Sequence, residues 1–317
     1  YLILTGPGDF REENDDAVGD NGRSTHDSRI VVTLPENGTY YVNVTSYQSG
    51  ETGAYRVALN ADNSAPNVAA HSSNASGGPR VFAVMVGIAD YPGTVNDLSS
   101  TDEDAIKLGD TLRRAGLLNP ASVTLVDARA TREGVRAAIA SVAAQAGPDD
   151  LFLFFYSGHG NQVPTPVSAE ELDGRSETIL LYDGQASDTE LAQWLSAVRA
   201  RMQLVVFDSC FSGGMNNLVN RPNVMGIFSS EEDLTSLVAS KYQAGGYLAY
   251  FLRNGLSGEA DSNHDRILTA GELTQYLRLK FSAEGPLPAS TLDDIRNYQN
   301  LTIDRGGVRV DDMVLRL

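Results

Sequence analysis

The sequence predicts an α/β protein with a mostly parallel sheet, preceded by a small antiparallel β-sandwich domain. Two stretches of contrasting pattern support this prediction. Residues 1–60 hold short β-rich runs separated by turn formers, whereas residues 80–317 hold unbroken apolar runs that alternate with amphipathic stretches. Residues 61–79 lack large apolar side chains almost entirely and are predicted to form a linker.

In the first domain, strands are predicted at 29–34, 39–44 and 54–59, with turn formers at 35–38 and 48–50. Closely spaced strands without a helical pattern are typical of an antiparallel sandwich.

The second domain alternates buried strands with helices. Strands are predicted at 81–88, 122–126, 151–156, 204–207 and 224–228, and helices at 102–115, 132–146, 189–201 and 245–254. Unbroken apolar strands indicate a parallel sheet covered by helices on both faces, in three layers. Residues 300–317, with two glycines between apolar runs, are predicted to form a closing hairpin.

Charge and composition exclude several classes of function. Lys and Arg number 24 against 41 Asp and Glu, which gives a formal net charge of −17. This acidity repels a phosphate backbone and argues against nucleic-acid binding. No run of 18 or more apolar residues predicts a membrane span. The single cysteine forms no internal disulfide, so it is either a small buried hydrophobe or a reactive thiol.

Chemistry-bearing residues follow two of the predicted strands. The strand at 151–156 runs into Ser-Gly-His159-Gly160, and the strand at 204–207 runs into Asp208-Ser-Cys210. Parallel strands would bring the imidazole and the thiol to one edge of the sheet. A free thiol titrates near 8.5, so a nearby imidazole is needed to take its proton at neutral pH. We predict a catalytic Cys210–His159 dyad, with the backbone N–H groups of Gly160 and Cys210 as oxyanion donors.

These motifs resemble a known family. Tyr156-Ser-Gly-His-Gly160, followed roughly 50 residues after the His by the Cys of Asp208-Ser-Cys-Phe-Ser-Gly213, resembles the caspase-like cysteine peptidases. The bacterial (orthocaspase-like) and type I metacaspase branch is the most similar, over residues 80–281. Phe211 departs from it, because a His is more usual there. The resemblance implies the caspase three-layer α/β/α fold and a cysteine endopeptidase that works as a monomer.

The resemblance also implies two acids beneath the substrate's P1 side chain. They map onto Asp208 and, within residues 102–105, onto Asp104, for which Asp97 is the competing assignment. A carboxylate pair prefers a cation, above all the forked guanidinium of Arg. We therefore expect protein or peptide substrates cleaved after Arg or Lys. The alternative for Asp104 is a first-turn acid favoured by the helix dipole.

One loop is predicted to bind calcium. Residues 261–272 match the twelve-residue calcium-loop pattern, with ligands expected at Asp261, Asn263, Asp265, Ile267, Thr269 and Glu272. Position 6 of the loop is Arg266, where glycine is usual. The alternative is a polar turn that begins the following helix.

A second calcium site is implied by the resemblance alone, at the acidic segment that contains Asp173, Glu177 and Asp188. Thr189 stands where a second consecutive acid is expected, and Asn216 and Asn217 follow Cys210 where another acid would help, which weakens this activation site. The alternative is a solvated acidic loop.

Residues 1–60 resemble the pre-peptidase C-terminal type of β-sandwich, which implies a secreted or periplasmic protein. The residues that carry the resemblance are 14–16, 27–28, 34–41, 49–50 and 53–55. The alternative is a generic β-sandwich appendage.

Self-processing is predicted at two basic residues on chain expected to be accessible. Arg80 follows the Gly-rich residues 77–79, and Arg221 lies in the polar segment 216–223. Two other functions stay open: a catalytically silent interaction or regulatory module on the caspase fold, and a cysteine hydrolase of non-peptide amides.

Overall fold

The computed structural model describes residues 80–167, 174–230, 244–284 and 301–317, with short segments of the first 57 residues. Those segments are 2–6, 11–14, 17–18, 24–25, 28, 30, 32, 39–45 and 57. The chain divides into two compact units, Tyr1–Ala75 and Ser76–Leu317. The predicted linker at 61–79 lies outside the described residues.

Antiparallel strands make up the described part of the first unit. They are β1 (Leu2–Thr5), β2 (Arg11–Asn14), β3 (Ala17–Val18), β4 (Ser24–Thr25) and β5 (Tyr41–Val44). β1 lies between β2 and β5 in one sheet, and β3 pairs with β4. β5 confirms the strand predicted at 39–44. The strands predicted at 29–34 and 54–59 fall largely outside the described residues, so the sandwich stays a prediction.

The second unit alternates strands with helices. Its described strands are β6 (Val81–Gly87), β7 (Val123–Val126), β8 (Leu151–Ser157), β9 (Gly160–Pro164), β10 (Arg175–Leu181), β11 (Gly184–Ser187), β12 (Met202–Asp208), β13 (Val224–Phe228), β14 (Ile267–Thr269), β15 (Thr302–Asp304) and β16 (Met313–Arg316). Its described helices are α1 (Thr101–Arg114), α2 (Arg132–Ala143), α3 (Asp188–Leu195), α4 (Tyr247–Asn254) and α5 (Ala270–Glu284). Within the described residues, none of the helices combines the length and apolarity that crossing a bilayer requires.

The central sheet has six strands in the order β15-β13-β12-β8-β6-β7. All neighbours are parallel except β15, which runs antiparallel to β13. The predicted mostly parallel sheet is therefore confirmed. β8 and β12 are direct neighbours near its middle, and this pairing positions the candidate site.

Helices cover both faces of the sheet, because consecutive side chains of each strand point to opposite sides. In β8, the alternate residues Phe152, Phe154 and Tyr156 pack against α2 and α3. The intervening Leu153 and Phe155 pack against α1, α4 and α5. Burial on both faces explains the unbroken apolar runs in the sequence, and it confirms the three-layer α/β/α arrangement.

Two sequence predictions differ from the structure. The hairpin predicted at 300–317 is wrong: β15 completes the edge of the central sheet beside β13, while β16 pairs with β14. The first apolar run forms β15 and pairs with the edge of β13. The second forms β16 and pairs with β14. The helix predicted at 189–201 ends early at Leu195, because the chain turns there and Val198 N–H bonds to the Leu195 carbonyl.

The helical layer beside α4 provides a test of the packing. Phe251 is fully buried, and its ring meets those of Tyr250 and Phe281 edge-on. We expect Phe251→Ala to lower the free energy of unfolding by about 3–5 kcal/mol, through lost burial and the cavity left behind. Leu279, which is 61% exposed, gives the matched control, whose change to Ala should stay within about 0.5 kcal/mol. Urea denaturation of the full chain measures both, and equal losses would contradict this packing.

Candidate active site

The register of β8 and β12 places the two predicted catalytic residues side by side. Ser157, at the end of β8, lies opposite Asp208, at the end of β12. His159 and Cys210 each follow two residues later. The N–H of Gly158 donates to the carbonyl of Asp208 at 3.3 Å, which joins the two chains beyond the strands. The parallel strand ends on which the prediction rested are therefore present, and they are adjacent.

Gly160 allows the two loops to touch. A Cβ atom at this position would overlap the carbonyl oxygen of Cys210 and would lie 2.9 Å from its carbonyl carbon. Only a residue without a side chain permits this approach. The backbone beside His159 is therefore in direct contact with the backbone of Cys210.

The ring of His159 is oriented by a backbone carbonyl. Its Nε2 lies 2.9 Å from the carbonyl oxygen of Asn96. Because a carbonyl can only accept, Nε2 carries the proton, and Nδ1 of the neutral ring is left as a proton acceptor. The sequence nominated no group for this role, and every residue has a carbonyl, so residue type offers no signal for it.

Two buried tyrosines fix the loop that carries His159. The hydroxyl of Tyr91 accepts the N–H of His159 at 3.0 Å, and its ring centroid lies 5.1 Å from that of the imidazole. The hydroxyl of Tyr156 donates to the carbonyls of His159 and Leu180, each at 2.8 Å. Burial raises the pKa of both tyrosines, so they stay protonated donors. The sequence analysis did not identify either tyrosine as a positioning residue.

The turn that carries Cys210 is held by buried serines and is strained. The N–H of Ser209 donates to Ser229 Oγ at 3.0 Å, and Ser230 Oγ donates to the Ser209 carbonyl at 3.0 Å. Phe211 adopts a left-handed conformation with φ 57°, which is costly for a bulky side chain. Such strain persists only where surrounding contacts impose it, and it concentrates at functional sites. Cys210 itself is half-buried.

The two acids predicted to recognise P1 converge from different elements. Asp104, on the first turn of α1, is 3% exposed, and Asp208 is 4% exposed. Both carboxylates lie at the N-terminus of α4, where backbone N–H groups and the helix dipole favour negative charge. A Cβ atom at Gly246 would overlap the carboxylate of Asp208, so a glycine is needed between the acids and the helix. The competing candidate, Asp97, instead accepts the N–H of Tyr91 in the turn after β6.

Asp104 accepts three hydrogen bonds from protein donors. Its Oδ1 accepts the N–H of Gly245 at 3.1 Å, and its Oδ2 accepts the N–H of Gly246 and the hydroxyl of Ser157, each at 3.0 Å. Burial, followed by the negative charge of Asp208, nevertheless raises the pKa of Asp104 to about 7. A cation between the two carboxylates would lower this pKa again and release a proton.

This titration predicts a pH-dependent stability. The pKa of Asp104 rises from 3.8 to about 7 on folding, so the folded chain binds more protons between these values. Its stabilising contribution is complete below about pH 4 and is lost as the pH rises towards 7. Asp104→Asn removes this component. We expect the unfolding free energy of wild type to fall relative to that of the variant from pH 4 to pH 7 in urea denaturation. Parallel pH curves would contradict the assignment.

The acids proposed for an activating calcium site are already engaged by protein donors. Asp188 is buried, which raises its pKa; its Oδ1 accepts the Thr189 N–H at 2.6 Å, and its Oδ2 accepts the Asn217 amide at 2.6 Å. Glu177, also buried, accepts the amide of Gln162 at 3.1 Å. Asp173 lies outside the described residues. Calcium at this segment stays a prediction.

The predicted calcium loop lies between α4 and α5, with β14 inside it. Asp261, Asn263, Asp265, Ile267, Thr269 and Glu272 are all described. Across the described ranges, no three Asp, Glu, His or Cys side chains are gathered, as they stand, closely enough to hold a metal ion.

The two predicted self-cleavage residues are held by the fold. Arg80 is exposed, but its carbonyl accepts the N–H of Leu151 and its guanidinium pairs with Asp150 at 2.6 Å, directly before β6. Arg221 is half-buried and donates to the Leu195 carbonyl and to Gln203. The expected open chain around Arg221 is therefore not observed, because its guanidinium joins α3 to β12.

The chain is similar to known proteins over this second unit. A family model described as the caspase domain matches residues 80–286, which is more than half of the chain. Metacaspase-1 of Schizosaccharomyces pombe is 32% identical over 149 residues, covering 43% of this chain and 35% of that protein. Metacaspase-1 of Mycosarcoma maydis is 33% identical over 164 residues (45% and 40%), and Metacaspase-9 of Arabidopsis thaliana is 30% identical over 144 residues (42% and 44%).

A protein of Geobacter sulfurreducens with a solved crystal structure shares the fold. Its TM-score is 0.52 at 20% sequence identity, and the match covers 71% of this chain and 93% of that one. The chain spans less than half the length of the three metacaspases that it matches. The caspase-domain match covers all the strands of the central sheet except β15, and it includes both His159 and Cys210. The chain therefore belongs to the caspase-domain family, with metacaspases among its relatives.

Proposed function

We propose that the chain is a cysteine endopeptidase that cleaves after Arg or Lys, with Cys210 as nucleophile and His159 as acid–base partner. The observation that carries the proposal is the in-register pairing of β8 and β12, which brings the His159–Gly160 backbone against Cys210. Membership of a family of caspase-fold proteases supports the same chemistry.

The first chemical step uses the free acceptor of the imidazole. Nδ1 of His159 takes the thiol proton, and the Cys210 thiolate attacks the scissile carbonyl carbon. The Asn96 carbonyl, which accepts from Nε2, holds the ring and stabilises the imidazolium that forms. The N–H groups of Gly160 and Cys210 are the proposed oxyanion donors, a type of contact worth about 3–4 kcal/mol.

The remaining steps return the enzyme to its starting state. The imidazolium gives its proton to the leaving amine, and the peptide bond breaks to leave a thioester on Cys210. A water molecule, deprotonated by His159, then attacks the thioester and releases the new carboxyl terminus. No redox change or further side chain is needed.

Preference for Arg or Lys is supported by the buried acids. Asp104 and Asp208 lie together beneath the end of β8, with little exposure to water. A P1 aspartate would add a third negative charge to this region, whereas a guanidinium would complete an ion pair. The fixed fork of Arg fits two carboxylates better than the point charge of Lys.

Activity on fluorogenic peptide amides tests the dyad. We expect Cys210→Ala and His159→Ala each to lower kcat/KM by about 10³-fold or more, because nucleophile and base act as a unit. His71→Ala, in the predicted linker, is the matched control and should keep full activity. Wild type as inert as Cys210→Ala, at all calcium concentrations, would favour the silent interaction module. Turnover of simple amides without turnover of peptides would favour the non-peptide hydrolase.

Substitution of one buried acid tests the pocket. We expect Asp208→Asn to lower kcat/KM for an Arg substrate by at least about 30-fold, since it removes one partner of a buried charge pair. The loss should be smaller for a neutral P1 residue. Glu103→Gln, on the exposed face of α1, removes the same charge and should leave the Arg preference unchanged. Faster cleavage after Asp than after Arg would overturn the assignment.

Self-processing after Arg80 or Arg221 is part of the proposal. Because both residues are bonded within the fold, cleavage there requires local opening. Intact-mass spectrometry of wild type should show fragments that end at these residues, and Cys210→Ala should not. A single intact mass after prolonged incubation, with and without calcium, would overturn this part.

Calcium dependence and location complete the proposal. A calcium ion at the segment of Glu177 and Asp188 would share the carboxylate of Asp188 with the amide of Asn217, which donates to its Oδ2. The resemblance of residues 1–60 to a secreted β-sandwich supports a secreted or periplasmic location. Activity as a monomer follows from the metacaspase resemblance.

A further inference from the structure

We propose that residues 261–272 form a calcium-binding site separate from the catalytic centre, and that its ion stabilises the junction between β14, α5 and the C-terminal strand. This inference is independent of the proposed peptidase activity. The ligands are oxygens spaced as in a twelve-residue calcium loop: side chains of Asp261, Asn263, Asp265, Thr269 and Glu272, and the backbone carbonyl of Ile267.

The observation that points to a cation is a buried carboxylate oxygen. Asp261 is 6% exposed, and its Oδ1 has no hydrogen-bond partner among the described residues. Its Oδ2 accepts the N–H of Arg266 from across the loop at 3.0 Å, so the carboxylate faces the loop interior. A buried acceptor without a donor destabilises the fold, and more so when it is charged. A bound cation removes this cost.

Two further predicted ligands are already oriented by hydrogen bonds within the loop. Asn263 Oδ1 accepts the N–H of Asp265 at 2.9 Å, and Asp265 Oδ1 accepts the N–H of Ile267 at 2.7 Å. Each of these oxygens retains a second lone pair for a metal. The loop thereby presents oxygen ligands in sequence, as a hard cation such as Ca²⁺ requires.

Glu272 is the ligand that must move. Its Oε2 accepts the N–H and the hydroxyl of Thr269 at 3.0 and 2.8 Å, and its Oε1 accepts the hydroxyl of Ser262 at 3.2 Å. These bonds hold the carboxylate at the N-terminus of α5. No three acids are gathered among the described residues as they stand, so the proposed site requires this side chain to rotate towards Asp261 and Asp265.

Arg266 weakens the site in two ways. It occupies position 6 with φ 68°, a left-handed conformation that glycine adopts without strain. It also adds a positive charge to a loop that binds a cation. A glycine here would adopt this loop conformation without strain and would remove the positive charge.

The contacts around the loop show what the ion would stabilise. β14, inside the loop, pairs with β16, and the N–H of Leu317 donates to the Arg266 carbonyl at 2.9 Å. Leu268 is fully buried in the core that α4 and α5 share. The ion would therefore fasten the C-terminal strand and the start of α5 to one face of the sheet.

Calorimetric titration of the chelator-treated full chain with calcium chloride tests the proposal. We expect a binding event in wild type that Asp261→Asn and Glu272→Gln each abolish. Arg266→Gly should bind about tenfold more tightly. Asp110→Asn, an exposed acid of α1, is the control for charge and should bind as wild type does.

Thermal stability and a variant of the other acidic segment distinguish this site from the alternatives. Calcium should raise the Tm of wild type and of Arg266→Gly but leave that of Asp261→Asn unchanged. Loss of binding in Asp188→Asn but not in Asp261→Asn would place the ion at the acidic segment near Cys210 and overturn the proposal. The absence of calcium binding by both wild type and Arg266→Gly would overturn it as well.

Discussion

The arrangement of the site depends on the parallel register between β8 and β12. Ser157 and Asp208 lie opposite each other, so the two loops that carry His159 and Cys210, two residues further on, lie side by side. The direct contact of Gly160 with the Cys210 carbonyl leaves no space for a side chain. A slip of one residue would turn every side chain of one strand to the opposite face and separate the two groups. The same apolar runs that bury both faces therefore fix the register on which the proposed dyad depends.

The buried acids show how charge is tolerated beside this core. Asp104 and Asp208 come from α1 and β12, and their repulsion, together with burial, would favour protonation. The N-terminus of α4 offsets this by directing the N–H groups of Gly245, Gly246 and Ala249 at the two carboxylates. Because the pKa of Asp104 is near neutral, its carboxyl group can either keep a proton or lose it to pair with a cation. In the proposed P1 pocket, a substrate cation would form an ion pair with the two carboxylates and thereby release the proton of Asp104.

The positions of five central strands, their parallel direction and the shared edge where two of them end could be predicted from the sequence, because burial on both faces produces continuous apolar runs. The Asn96 carbonyl could not, since no residue type marks a backbone acceptor. Tyr91 lies far from His159 in sequence, and only the fold brings its hydroxyl to the His159 N–H. β9, β10 and β11 form a separate antiparallel sheet that the sequence analysis also missed. Its outer strands, β9 and β11, are half-polar and lack a clear period. That Asp104 and not Asp97 lies beside Asp208 became visible only with the position of α4.

α4 connects the two buried acids of the second unit to the proposed calcium loop. Its N-terminus receives the carboxylates of Asp104 and Asp208, and its C-terminus leads through residues 255–259 into the proposed calcium loop. Phe251, in the middle of α4, packs against Phe281 of α5, whose first turn carries Glu272. An ion that orders the start of α5 would thus stabilise the packing that holds α4 against the sheet. It would preserve the geometry of the acid pocket through this packing, without contact with substrate and without a change in the charge of either acid.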